Sequence, residues 1–261
     1  MEVICYACGK GEFPENTLEA IAHCQSISSS WRIEMDVQLT KDGEVVLFHD
    51  ANTKRTTNLD KSVAETNYSE LKTMNAGYNF QQKEVFPYRK NPVTIPLLKD
   101  VFWHFPKAKF LLDIHTKDVQ IVDKTIALIE KAYCDKQVVI VSKYHYILKA
   151  FRQKRPFWEY GASSKEVKQY LVAHYLGFGK FVRPRASIMM MPLSYNGKKI
   201  LATSLVKSIN NKEKKLWLWL HEGKEVITVD SKNQFDSIKN YNANAFFTSN
   251  PRKLYNEVFN A

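Results

Sequence analysis

The 261-residue chain lacks the marks of a disulfide scaffold, a membrane span or a multidomain array. Its cysteines are four, Cys5, Cys8, Cys24 and Cys134. Cys5 and Cys8 form a C-x-x-C, but no second pair lies nearby, so zinc and a disulfide framework are both disfavoured and the thiols read as isolated. No apolar run reaches the roughly 20 residues a transmembrane helix needs, so any membrane contact has to be peripheral. No Gly/Ser or Pro-rich linker and no internal repeat divides the chain, and a single domain over residues 1–261 is expected. The chain opens on the strand-like Met1-Glu2-Val3-Ile4-Cys5-Tyr6 rather than on a basic stretch followed by an apolar segment. The expectation is a cytoplasmic protein, or a secreted one if a leader has been removed. Acids are the scarcer charge, 27 Asp and Glu against 38 Lys and Arg for a net +11, which attracts anions at long range. Short clusters at Lys198-Lys199, Lys212 and Lys214-Lys215 fit solvated surface or peripheral contact with an anionic membrane. With no recognisable nucleic-acid motif beside them, nucleic acid is not an expected partner.

In a chain short of acids, the carboxylates at Glu34 and Asp36 are conspicuous. They alternate with Ile33, Met35 and Val37, so an extended backbone places both carboxylates on one face and the apolar side chains on the other. After the turn Lys41-Asp42-Gly43, a second strand from Glu44 to Phe48 ends in His49-Asp50. Charges on a buried strand must be paired, protonated or bound to a cation. Hard ions such as Mg²⁺ or Ca²⁺ prefer oxygen ligands, and Mg²⁺ often takes a substrate phosphate as well. An exposed hairpin with one polar face gives the same pattern without a metal, and the local sequence leaves both readings open.

Strand-like runs recur at residues 3–6, 31–37, 44–49, 109–115, 137–142, 157–161, 187–191, 215–220, 225–229 and 245–248, with helical patterns between several of them. Such alternation argues for a parallel α/β sheet, either open and doubly wound or closed into a (β/α)₈ TIM barrel. A barrel needs fewer strands than this, so at least two runs are minor. The segment Trp217 to Ile227 reads as a hairpin or as one barrel strand and a loop.

The order of motifs narrows the choice. Phe13-Pro14-Glu15-Asn16-Thr17 opens a helix, followed by Glu34-x-Asp36-Val37, Thr40-Lys41-Asp42-Gly43, His49-Asp50 and Arg55-Thr56-Thr57. Further on come Ala76-Gly77-Tyr78, Ile95-Pro96-Leu97, the strand Phe110 to His115, Thr228-Val229-Asp230 and Thr248-Ser249-Asn250-Pro251. This succession resembles the glycerophosphodiester phosphodiesterase family over nearly the whole chain, most specifically across residues 11–57. The resemblance implies the barrel, with residues 58–96 inserted between strands 3 and 4 and Thr228-Val229-Asp230 ending the penultimate strand.

It also implies a site. Glu34, Asp36 and Asp113 correspond to the family's ligands for a divalent metal, Mg²⁺ or Ca²⁺. His49 corresponds to one of two catalytic histidines, suited to moving a proton at neutral pH. The other is missing: without a gap the family's His-Arg-Gly falls on Tyr6-Ala7-Cys8, and a shift by one puts Ala7 and Cys8 there instead. His115 stands where the family usually has lysine, and either compensates for the missing pair, as a cation or as an acid/base, or fills space beside Asp113. Glu15 is placed near the metal, Asn16 in a loop-shaping hydrogen bond, and Arg55 and Lys117 at the substrate phosphate, while Arg89 fits a headgroup contact or a solvated loop. Alternation directs Tyr6 into the site mouth alongside Cys8, with Cys5 facing the helices.

The implied activity is hydrolysis of a small anionic phosphodiester, a glycerophosphodiester or related lipid-derived compound, to an alcohol and a phosphomonoester such as glycerol 3-phosphate. Loss of the first histidine leaves as an alternative a catalytically impaired barrel that binds metal and a phosphorylated ligand; a further alternative is a sibling barrel activity, phospholipase D-like attack on lysophospholipid or sphingolipid.

Overall fold

The computed structural model of the protein describes residues 1–195, 198–222 and 225–260. Its strands are β1 (Glu2–Cys5), β2 (Arg32–Leu39), β3 (Val45–Leu47), β4 (Lys109–Ile114), β5 (Val138–Val141), β6 (Glu159–Tyr160), β7 (Ile188–Pro192), β8 (Ser194–Tyr195), β9 (Lys198–Lys199), β10 (Lys215–Glu222), β11 (Glu225–Ile227) and β12 (Ala245–Thr248). The helices are α1 (Leu18–Ile27), α2 (Tyr68–Leu71), α3 (Leu98–His104), α4 (Gln120–Lys131), α5 (His145–Lys154), α6 (Ser164–Tyr175), α7 (Thr203–Asn210), α8 (Lys232–Ile238) and α9 (Pro251–Leu254). β8 and β9 pair only with each other, and the remaining ten strands form one sheet. Within it β3 and β11 are antiparallel arms on β2 and β10. The other eight run parallel in the order β7-β10-β12-β1-β2-β4-β5-β6. A parallel bridge between Gly161 and Ile188, with Ala162 N donating to Ile188 O at 2.8 Å, brings β6 against β7 and nearly closes the (β/α)₈ barrel.

Parallel strands are covered on both faces, so their sequences run apolar without alternation. β5, Val138-Val139-Ile140-Val141, does this. β2 is also buried along its whole length but alternates in polarity. Ile33, Met35, Val37 and Leu39 join the layer between barrel and helices, packed with Ile21, Leu98 and Ile121. The barrel interior is filled by Ile4, Leu111, Val139, Trp217 and Phe247. Arg32, Glu34, Asp36 and Gln38 therefore face inward, and Arg32 lies over the Trp217 ring while donating to Phe110 O at 2.9 Å.

Two strand expectations change. Residues 44–49 are not a barrel strand; β3 folds back on β2 with Val37 opposite Leu47. Its faces serve two cores, Val45 and Leu47 the main layer, Val46 and Phe48 a separate cluster with Leu71, Met74, Ile95 and Leu97. The insertion thus lies between strands 3 and 4 in chain order, and between the second and third strands of the barrel. Thr228-Val229-Asp230 does not end the penultimate barrel strand, because β10 is that strand and β11 returns along it. Segment 217–227 is accordingly both a barrel strand and a hairpin; its turn residues Gly223 and Lys224 lie outside the described residues, as do the side chains of Lys198 and Lys199. The short helix α2 stops at Leu71, and beyond it Asn75 Oδ1 accepts from Gly77 N at 3.0 Å and Val93 N at 3.3 Å.

Met35 is fully buried whereas Trp103 is 82% exposed. Met35→Ala should destabilise the chain by ~2–5 kcal/mol in urea unfolding, and Trp103→Ala by no more than ~0.5 kcal/mol. A small loss for Met35 would mean that the helix layer does not depend on the outward face of β2.

Candidate active site at the acid cluster

β2 and β4 are parallel neighbours with Asp36 opposite Asp113. Inward alternation on both strands brings Glu34, Asp36 and Asp113 together, with carboxylate oxygens within 4.8 Å of one another; Asp36, His49 and His115 form an overlapping group as tight. Such crowding has electrostatic consequences. Burial, then the charges of Asp36 and Asp113, push the Glu34 carboxyl well above its usual range, opposed by the Ala7 N–H that donates to Oε2 at 2.5 Å. Burial acts on Asp36 too, but His115 and the Asn16 amide outweigh it and hold Asp36 below its usual value. Asn16, at a left-handed φ of 57°, donates to Asp36 Oδ2 at 2.8 Å and accepts from Asp36 N at 2.9 Å.

His115 is the local cation. Its Nε2 lies 3.0 Å from Asp36 Oδ1 and 3.4 Å from Asp113 Oδ2. Burial alone would lower its pKa, but hydrogen bonds to Asp113 and Asp36 outweigh this and push it up to about 10.

His49 follows β3, whose last residues are fixed from below: Phe48 N donates to Asp36 O at 2.9 Å, and Gln38 Nε2 donates to the carbonyls of His49, at 3.0 Å, and Asp50. Its Nδ1 lies 2.6 Å from Asp50 Oδ1, and its ring faces His115 with centroids 4.5 Å apart. Arg55 donates to Asp50 Oδ2 through Nε at 2.5 Å and forks onto Glu15 at 2.6 and 2.9 Å. Burial would raise the Asp50 carboxyl, yet the hydrogen bonds from Arg55 and His49 leave it lowered. A hydrogen-bonded relay, Glu15–Arg55–Asp50–His49, thereby orients the imidazole.

Residues 6–8 do not prolong β1. They turn through left-handed Ala7, Cys8 and Gly9, at φ of 44°, 60° and 79°. A side chain at Gly9 would meet Cys24 Sγ and Pro251 Cγ at 3.0 Å, so glycine is required there. The turn leaves the Tyr6 ring inside the barrel, edge-on to Phe247 at 6.4 Å. Burial first, then Glu34, Asp36 and Asp113, raise its phenol pKa, so the hydroxyl stays protonated. Cys8 does not accompany Tyr6 into the mouth, because the left-handed residues reverse the alternation. It lies in the helix layer with Cys5 and Cys24, all as free thiols. With Cys8 behind the strand, the ungapped register with Tyr6 in the histidine's place is the one the geometry favours.

Two expected contacts are displaced. Glu15 turns to Arg55 and belongs to neither donor group among the described residues. Lys117 is exposed, and its carbonyl rather than its ammonium is engaged, accepting from Tyr146 at 2.7 Å. Arg89 stacks 3.8 Å over the Phe86 ring. Sequence reasoning missed Gln38, although the period of Glu34 and Asp36 points to it, and Lys10, for which no local signal exists. Lys10 sits 4.6 Å from the Tyr6 ring and lines, with Glu15 and Arg55, a cavity of about 400 Å³ at the mouth. Trp219 Nε1, inside the barrel, is buried without a partner among the described residues.

A strand-end cluster of carboxylates and histidines in a (β/α)₈ barrel lies where such barrels carry their active sites and could hold a metal ion. Residues 8–253 match the model of the glycerophosphoryl diester phosphodiesterase family, and the chain belongs to that family. It is 33% identical over 164 residues to a Bacillus altitudinis glycerophosphodiester phosphodiesterase, covering 60% of this chain and 64% of that one. It is 32% identical over 123 residues to the rat lysophospholipase D GDPD1, covering 47% and 39%. The chain thus aligns with less than two thirds of the length of these relatives. An Oleispira antarctica phosphodiesterase, solved with its product sn-glycerol-3-phosphate, superposes with a TM-score of 0.76 at 19% identity, over 98% of this chain and 96% of that one.

The raised pKa of His115 fixes a pH dependence. Without metal, its stabilisation is complete below its unfolded value of 6.5 and is lost as pH rises towards about 10. Urea midpoints of the metal-free chain should fall across that window, and His115→Asn should make the fall shallower. An unchanged slope in the variant would contradict the ion-pair assignment.

Proposed function

We propose that the protein hydrolyses glycerophosphodiesters with a divalent metal, releasing an alcohol and glycerol 3-phosphate. The observation that carries this reading is the donor set: three carboxylates within 4.8 Å of one another, beside a histidine tethered to Asp50. Buried acids without enough counter-charge are what a divalent cation resolves, and all-oxygen donors suit Mg²⁺ or Ca²⁺. Glu34, Asp36 and Asp113 would hold it; when bound, such an ion supplies charge for the phosphoryl oxygens. Asn16 and the Ala7 N–H keep the carboxylates in place. Since Asp50 accepts from His49 Nδ1, Nε2 is the nitrogen free to give a proton to the leaving alkoxide. His115, Lys10 and Arg55 supply the cationic surroundings for the phosphate that Ala7, in place of the family arginine, does not.

With its phenol pKa raised, Tyr6 is suited to donating a hydrogen bond to substrate rather than to taking a proton as base. The phospholipase D-like reading is supported by the likeness to the lysophospholipase D and by the apolar interior around Tyr6, Met190, Trp219 and Phe247. The cationic excess favours anionic substrates and, for lipids, peripheral contact with an anionic membrane. A reducing compartment such as the cytoplasm suits the four buried free thiols.

The test is an assay of glycerophosphocholine and lysophosphatidylcholine with added Mg²⁺, Ca²⁺ or Mn²⁺. Metal-dependent release of glycerol 3-phosphate from the first supports the proposal; lysophosphatidic acid from the second alone supports the phospholipase D-like reading; no turnover leaves the binding-only barrel. His49→Ala should lower the rate ~10²–10⁴-fold, and Tyr6→His with Ala7→Arg should raise it. An undiminished rate in His49→Ala would move the acid role to another group.

A further inference from the structure

On the outer wall of the barrel, a cavity of about 520 Å³ opens between α5, α6 and the segment that precedes β7. Lys149, Arg152, Lys165, Arg183 and Arg185 line it, with Glu166 as its one carboxylate. Glu166 is already engaged: it accepts from Arg152 at 2.6 and 3.2 Å and from Ser163 N at 2.9 Å. Among the described residues no carboxylate pairs with Lys149, Lys165, Arg183 or Arg185. Arg152 Nε is also buried without a partner among the described residues. The excess of positive charge continues into an adjoining cavity of about 310 Å³ that shares Arg152 and Arg185 and adds Lys214. Burial, then Arg183 and Arg152, lower the Lys214 ammonium pKa, as mutual repulsion among crowded cations requires. None of these residues belongs to the acid cluster.

We propose that this cleft is a second ligand site, specific for a small, multiply charged phosphate compound. Guanidinium forks match phosphate geometry, and the volume falls in the ~300–1,000 Å³ range of small-molecule sites. That size leaves a single orthophosphate loosely held, while a chain of linked phosphates spans several cations at once. Binding there removes the repulsion that the free protein sustains.

Calorimetry of the full chain with tripolyphosphate and with orthophosphate, at constant ionic strength and with Mg²⁺ in excess of the anion, tests the assignment. Tripolyphosphate should saturate one site and orthophosphate bind more weakly. Arg183→Ala with Arg185→Ala, at two exposed positions, should weaken tripolyphosphate by about tenfold or more, the loss of one charge-assisted contact. Lys149→Glu, on the exposed face of α5, provides an independent variant with the same expected direction. Asp36→Asn should leave the affinity unchanged. Absence of saturable binding, undiminished affinity in both cleft variants, or loss of binding in Asp36→Asn would overturn the proposal; the last would place the anion at the acid cluster instead.

Discussion

Two buried carboxylates, Glu34 and Asp36, and the half-buried Asp113, held against one another, are the constraint around which the rest of the site is arranged. The parallel register of β2 and β4 sets Asp36 opposite Asp113, and no side-chain rotation on those strands would separate the charges without abandoning the inward face. The protein answers with three devices. Burial and the neighbouring charges raise the Glu34 pKa and so favour its neutral form, His115 brings a positive charge between Asp36 and Asp113, and Asn16 with the Ala7 N–H supplies donors. Each offsets part of the desolvation that buried charge suffers. None needs to persist when a divalent cation supplies the charge instead.

The same constraint explains the neighbourhood. The left-handed turn at residues 7–9 aims the Ala7 N–H at Glu34, and in doing so sends Cys8 behind the strand. β3 lies on β2 because its two faces join two cores, and that placement delivers His49 to the rim of the cluster. The insertion therefore does more than cover the barrel: its apolar cluster anchors the strand from which the histidine projects.

Much of this was legible beforehand, for identifiable reasons. Period-two alternation assigns Glu34 and Asp36 to one face, and Asp113 and His115 to one face, and the barrel preserves both. The order of motifs supplied the fold. What escaped depended on direction and reach rather than on propensity. An extended run at residues 44–49 does not reveal whether its partner runs parallel, so β3 was mistaken for a barrel strand. A C-x-x-C read as strand hides a turn of positive φ. Glu15 and Arg55, far apart in sequence, find each other through side-chain length, and Lys117 extends into solvent although its position lies just beyond the strand.

The carboxylate triad, here beside the His115 ring, is proposed as a divalent cation site. Crystals equilibrated with Mn²⁺ and measured at its absorption edge test it directly. The account predicts one anomalous peak shared by Glu34, Asp36 and Asp113, with the His115 ring withdrawn from Asp36. A peak that avoids these carboxylates, or none at millimolar Mn²⁺ with the His115–Asp36 contact intact, would contradict it.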